Sequence, residues 1–181
     1  IISELSAQRG QVAEAGDSYF DLAMSTRDVT VIQRAIQFAS VNSDINALLQ
    51  LGMLWAQLEP TNPQPQLLLS IQFLESGAFE QAISHMSRVL ELGGDMDFAA
   101  LSSRTGRLNP QLRSVLIENL ARLKVEFNKQ TSIHLTLVQL LAQNGNFEEA
   151  LTEVEQLKDN TDLTPNIVML HSQILQSMER P

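Results

Sequence analysis

The sequence predicts an all-α solenoid of helix–turn–helix pairs, about five pairs and a terminal helix, forming a single array over residues 1–181. Three observations carry this. Apolar residues recur at three- and four-residue spacing in short runs, the mark of helices with one buried face. The phrase Gly77-x-Phe79-x-x-Ala82 returns as Gly145-x-Phe147-x-x-Ala150, an offset of 68, which is twice 34. A related phrase, Gly10-x-Val12-x-x-Ala15, precedes the first by an offset of 67, one short of the same multiple. In each, the Gly frees the backbone to turn, the large apolar residue plugs the seam, and the small Ala lets two helices approach. One such hairpin cannot bury both of its faces, so it requires a similar neighbour on each side.

The elements follow in order. Residues 1–9 read as the end of a first helix, with Ile2, Leu5 and Ser6 inward, and Gly10 turns the chain into a helix near 12–25. Its apolar side holds Val12, Ala15, Tyr19, Phe20 and Leu22. Asp28 is an N-cap for a helix over 29–40. Asn42-Ser43-Asp44 breaks that helix and caps the next, near 45–58, which carries Leu48, Leu51, Leu54, Trp55 and Leu58. Pro60 stops it, and Asn62-Pro63 supplies an N-cap and a first-turn proline. The hairpin of 63–92 follows, with Leu67, Leu68, Ile71 and Leu74 on its first helix and Ala82, Ile83, Met86, Val89 and Leu90 on its second. Gly93-Gly94 ends it. A helix over 96–108 is expected through Phe98, Leu101 and Leu108, capped by Asp95-Met96-Asp97 and weakened by Ser102, Ser103 and Gly106. Asn109-Pro110 opens another, with Leu112, Val115, Leu116, Leu120 and Leu123 packed. Ile133, Leu137 and Leu140, then Gly145, then Phe147, Ala150, Val154 and Leu157 form the next pair. Residues 158–162 read as a polar loop, and Thr164-Pro165 caps a last helix with Ile167, Leu170, Ile174 and Leu175. That helix keeps an uncovered apolar face.

A 34-residue period of helix–turn–helix units resembles the tetratricopeptide repeat. The likeness covers the chain, with repeats near 1–28, 29–62, 63–96, 97–130 and 131–164 and a half-repeat at 165–181. It implies a right-handed superhelix whose first helices line a concave groove. The strings at residues 3–40, 54–64 and 82–93 further resemble the early repeats of proteobacterial outer-membrane lipoproteins. Those proteins tether a carboxyl-terminal processing protease and bring cell-wall hydrolases to it. This resemblance implies a periplasmic segment whose lipid-bearing Cys lies upstream of Ile1. The chain opens without Met and closes after half a repeat, as a fragment of a longer protein would.

Composition narrows the function classes. The formal net charge is −9, with 12 basic residues that are scattered rather than clustered. Nucleic-acid binding rests on Lys and Arg neutralising phosphates, so it is not expected. The absence of Cys excludes disulfides, zinc fingers and thiol catalysis. No apolar run approaches the ~18 residues of a membrane span, so membrane association is expected only through a lipid anchor outside this segment. His85, His134 and His171 stand in separate repeats with no metal-binding spacing, and no cofactor is expected. No Ser lies in a strand–turn–helix context, so the reading expects no enzyme in this segment. Glu148, Glu149 and Glu153 read as a solvated face, or as an acidic binding patch.

The family's groove positions, carried over onto this sequence, give a protein-binding set. It comprises Leu67, Ile71 and Leu74, then Phe98 and Leu101, then Leu135 and Gln139, and Met169. None of the carried-over positions is Lys or Arg, so the carboxylate clamp of chaperone-tail binders is missing. An apolar centre flanked by amides suits an amphipathic helix or extended segment of a partner protein. The alternative is a regulatory repeat domain attached to a catalytic module elsewhere in the protein. Oligomeric state is not legible in the sequence.

Overall fold

The computed structural model describes residues 2–106, 108–160 and 165–178, and of residues 2–13, 159 and 160 the backbone alone. Among these residues every regular element is an α-helix. They are α1 (Ile2–Thr26), α2 (Val29–Val41), α3 (Ile45–Leu58), α4 (Pro63–Glu75), α5 (Phe79–Glu91), α6 (Ala99–Thr105), α7 (Pro110–Glu126), α8 (Thr131–Gln143), α9 (Phe147–Asn160) and α10 (Pro165–Met178). They form two compact units, residues Ile1–Met96 with α1 to α5 and Asp97–Pro181 with α6 to α10. No described helix is long and apolar enough to cross a membrane.

The 34-residue step is visible in the helix starts. First helices begin at Val29, Pro63, Thr131 and Pro165, and second helices at Ile45, Phe79 and Phe147, all spaced by 34 or 68. Side-chain caps fix several starts. Asp28 Oδ1 accepts from Thr30 N at 2.8 Å, Asp44 Oδ1 from Ala47 N at 3.0 Å, and Asn62 Oδ1 from Gln64 N at 2.9 Å. Each satisfies a donor that the first turn leaves orphaned.

The turns inside the pairs share one closure. Ser43, Gly77 and Gly145 all take left-handed φ, at 55°, 77° and 82°. Beyond each, the next amide returns to the helix: Asp44 N to Ala39 O, Ala78 N to Phe73 O and Asn146 N to Leu141 O, at 2.9–3.0 Å. This is the Schellman closure, and it favours Gly because a Cβ is strained there. A Cβ at Gly77 would meet nothing within 4 Å, so substitution there costs backbone strain alone. Gly77→Ala should therefore lose about 1–2 kcal/mol, and Ser43→Gly should gain up to about 1 kcal/mol. Urea melts of the two variants check both signs.

Packing within the first unit centres on Ala23, Ile32, Ala35, Leu48, Leu51 and Trp55, with Tyr19 and Phe20 leaning on them. Ala82 and Ala150, the small residues of the repeated phrase, are fully buried. Trp55 Nε1 and Asn62 Nδ2 both donate to Glu59 Oε2 at 2.7 Å, tying the end of α3 to the start of α4. These bonds, from Asn62 first and Trp55 second, hold the Glu59 carboxyl below the usual carboxylate range.

Four expectations are corrected. The helix does not turn at Gly10: α1 runs unbroken for 25 residues, because an internal Gly costs a helix only about 1 kcal/mol. The first repeat is thus one long helix, and four pairs lie between α1 and α10. The expected helix over 96–108 shrinks to the seven residues of α6, with Asp97 Oδ1 accepting from Ala99 N. Asn109 and Pro110 start α7 early, at an offset of 31 from Phe79 rather than 34, which leaves its first helix less chain. Leu112 and Val115 are 47% and 38% exposed rather than packed, and Leu22 is exposed as well. Finally, α9 continues to Asn160, so the first part of the expected polar loop is helical. Residues 161–164, including the Thr164 cap, lie outside the described residues, as do the side chains of Ile2, Leu5, Ser6 and Val12.

Candidate protein-binding site

In the first unit, Leu67, Ile71 and Leu74 share one face of α4, since the spacing is four and three residues. They are not equally available. Ile71 is 42% exposed, Leu67 is half-buried, and Leu74 is 7% exposed. Only Ile71 presents a large apolar surface to solvent. Gln64, two turns earlier, and Gln33 and Gln37 on α2 are exposed amides.

In the second unit, α8 packs against both α6 and α10. The side chains of Phe98 and Leu101 expose nothing. They leave the set of accessible contact residues, as Leu74 does, because a fully buried side chain stabilises its own fold and touches no partner. Leu135 and Gln139 are half-buried on one face of α8, and Gln139 Oε1 is buried without a hydrogen-bond partner among the described residues. Met169 on α10 is 57% exposed, beside Val168 at 49%. The open apolar positions are therefore Ile71 in one unit and Met169 in the other.

The shape of the second unit depends on a residue that the apolar pattern passes over. Arg113 on α7 is buried, and it faces carbonyls rather than a carboxylate. Its Nη1 donates to Gln143 O at 2.7 Å, the last carbonyl of α8. Its Nη2 donates to Leu108 O at 2.9 Å and Gly106 O at 3.3 Å, just beyond α6. A cation suits helix C-termini, where the macrodipole is negative. Gln143 completes the clip: its Nε2 donates to Ser102 O at 3.0 Å, and its Oε1 accepts from Thr105 Oγ1 at 3.3 Å. So the end of the short α6 is held by side chains of α7 and α8.

Glu153 is no part of a solvated acidic face. Lys124 Nζ donates to both of its carboxylate oxygens, at 2.6 and 2.7 Å, and both side chains are about one-fifth exposed. Glu148 is exposed, and Glu149 Oε1 accepts from Asn146 Nδ2 at 2.9 Å.

His85 and His134 are packing residues. His85 stacks on Phe73 at 5.2 Å between ring centroids, with Nδ1 2.6 Å from Gln66 Oε1. Burial holds its imidazole below the ordinary range. Burial does the same to His134, whose Nε2 lies 3.2 Å from Asn128 O. The unfolded chain, with a His pKa near about 6.5, then binds protons before the folded one. Stability is fully present above that value and falls as the pH drops below it. Melting at pH 5.5 should lie below melting at pH 7.5, and His85→Gln should shrink the gap. Ordinary carboxylates titrate near about 4, outside that window. Among the described residues no three His, Asp or Glu side chains gather as a metal-ligand group.

The geometry can be set beside known proteins. A TPR repeat-containing protein of Pseudomonas aeruginosa is 30% identical over 182 residues, covering 99% of this chain. Together with the 34-residue step of helix pairs, this decides the family. The chain is an array of tetratricopeptide repeats. It spans 30% of the length of that Pseudomonas relative. No family model matches the chain. A tetratricopeptide repeat protein from Parabacteroides merdae is similar in structure, with a TM-score of 0.46 and 12% identity, over 97% of this chain and 69% of that one. Ile71 lies on α4 and Met169 on α10, which start in the same 34-residue register as α2 and α8.

Proposed function

We propose that this tetratricopeptide segment is a protein-binding scaffold that engages a partner chain through its first helices. One observation carries the reading. Ile71, on α4, keeps a large apolar side chain 42% exposed on the helix that also carries the exposed amide Gln64. Apolar side chains held in water at a repeat surface gain by docking against a partner's apolar face. Leu67 extends that surface in the first unit, and Leu135, Gln139 and Met169 are the candidate contact positions of the second.

The finer reading is an adaptor. By the resemblance of residues 3–40, 54–64 and 82–93 to outer-membrane repeat lipoproteins, the partner is a carboxyl-terminal processing protease, and cell-wall hydrolases are what the scaffold brings to it. The place is then the periplasm, with the anchor outside this segment. A pull-down from the native cell envelope with the full-length protein tests this. Recovery of such a protease under mild salt supports the adaptor reading, and its consistent absence removes it.

A further inference from the structure

The first unit holds a second surface, distinct from α4. A cleft of about 280 Å³ opens between α1, α2 and α3. Its apolar lining includes Phe20, Ala35 and Ala39, and its polar lining is Asp17 and Asp44 with the amides Asn42, Asn46 and Gln50. Asp17 is exposed and, among the described residues, holds no intramolecular partner. Asp44 spends Oδ1 on the first turn of α3, and among the described residues no bond is made by its Oδ2. Gly16 opens the wall. It lies inside α1, where Gly is unfavourable relative to Ala. A Cβ there would come within 2.9 Å of Asn42 Nδ2 and 3.6 Å of Phe38 Cβ, so Gly lets α1 pass close to the end of α2 at the cleft wall.

We propose that this cleft receives one basic side chain, a Lys or Arg, from a partner protein. The volume argues for a single side chain, since pockets for drug-sized ligands start at about 300 Å³. An apolar lining with two carboxylates matches a long cationic side chain, whose methylene stem buries while its charged head stays near water. Charge complementarity agrees at longer range: residues 1–96 hold eleven Asp and Glu against four Lys and Arg, a field that draws a basic segment in. The inference does not rest on the α4 reading, because none of these cleft residues belongs to α4.

The test is an amide chemical-shift titration of this chain with N-acetyl-arginine amide, and with N-acetyl-citrulline amide as its uncharged isostere. The arginine probe should shift Gly16–Phe20 and Asn42–Gln50 saturably, and the citrulline probe should not. Asp17→Asn with Asp44→Asn, which keeps a capping side chain at 44, should weaken the response about tenfold. Equal shifts with the two probes, shifts spread over all exposed carboxylates, or an unchanged response in the double variant would overturn the proposal. Should the double variant lose helicity, the two-probe comparison on the unaltered chain decides alone.

Discussion

Arg113→Met should destabilise the second unit by about 3–4 kcal/mol and lower its melting point by on the order of 10 °C. The side chain is buried, and its guanidinium satisfies carbonyls at the ends of two helices: Leu108 O at 2.9 Å and Gly106 O at 3.3 Å beyond α6, and Gln143 O at 2.7 Å on α8. Methionine keeps the volume but leaves those acceptors without donors, and bonds to a charged donor are worth about 1.5–3 kcal/mol each. Arg113→Lys should recover only part of the loss, since an ammonium lacks the planar fork that reaches carbonyls on both sides. Hydrogen exchange locates the effect: protection should fall in α6 and α8 and stay unchanged in α2 to α5, which lie in the other unit. Unchanged melting would show that these carbonyls find water at no cost.

The regular pairs were legible because several independent signals agree there. At 63–92 an Asn-Pro start, a left-handed Gly and two apolar stripes all point to one hairpin, and the structure has it within a residue or two. At Gly10 only the phrase was present. Val replaces Phe, no cap residue stands beside the Gly, and the helix runs through it. In the fourth pair the period itself slips. From Phe79 the second helices step by 31 to Pro110 and then by 37 to Phe147, so two compensating shifts hide inside an apparent 68. Counting groove positions from Asp97 in steps of 34 therefore placed Phe98 and Leu101 on a surface that they do not reach.

Arg113 had a readable signal. The buried positions of α7 are Arg113, Leu116, Leu120 and Leu123, spaced three, four and three. Extending the stripe back from Leu116 by three lands on the arginine, whereas choosing the nearest leucine lands on exposed Leu112. A charged residue in a buried register is a question about its partners, and those partners were backbone carbonyls that no side-chain pattern displays. The Lys124–Glu153 pair was illegible for a related reason: it joins residues 29 apart on α7 and α9, so only packing brings them together.

The central claim is that Ile71 serves a partner rather than the fold. Ile71→Asp places a charge on a position 42% exposed, so the carboxylate can stay in water and the fold loses only the covered part of the side chain's burial, about 1 kcal/mol. An apolar anchor docked in a desolvated interface is often worth about 2 kcal/mol or more, close to thirtyfold in affinity. Exposed ion pairs are worth at most about 1 kcal/mol, so binding should also persist in moderate salt. The decisive measurement is paired: thermal melting of Ile71→Asp beside its capture of whichever partner protein the unaltered protein retains in the pull-down. Melting within about 5 °C of the parent, with capture reduced by a factor of about ten or more, is the predicted result. A folded variant that captures the partner as well as the parent, or a variant that melts far below it, would contradict the account.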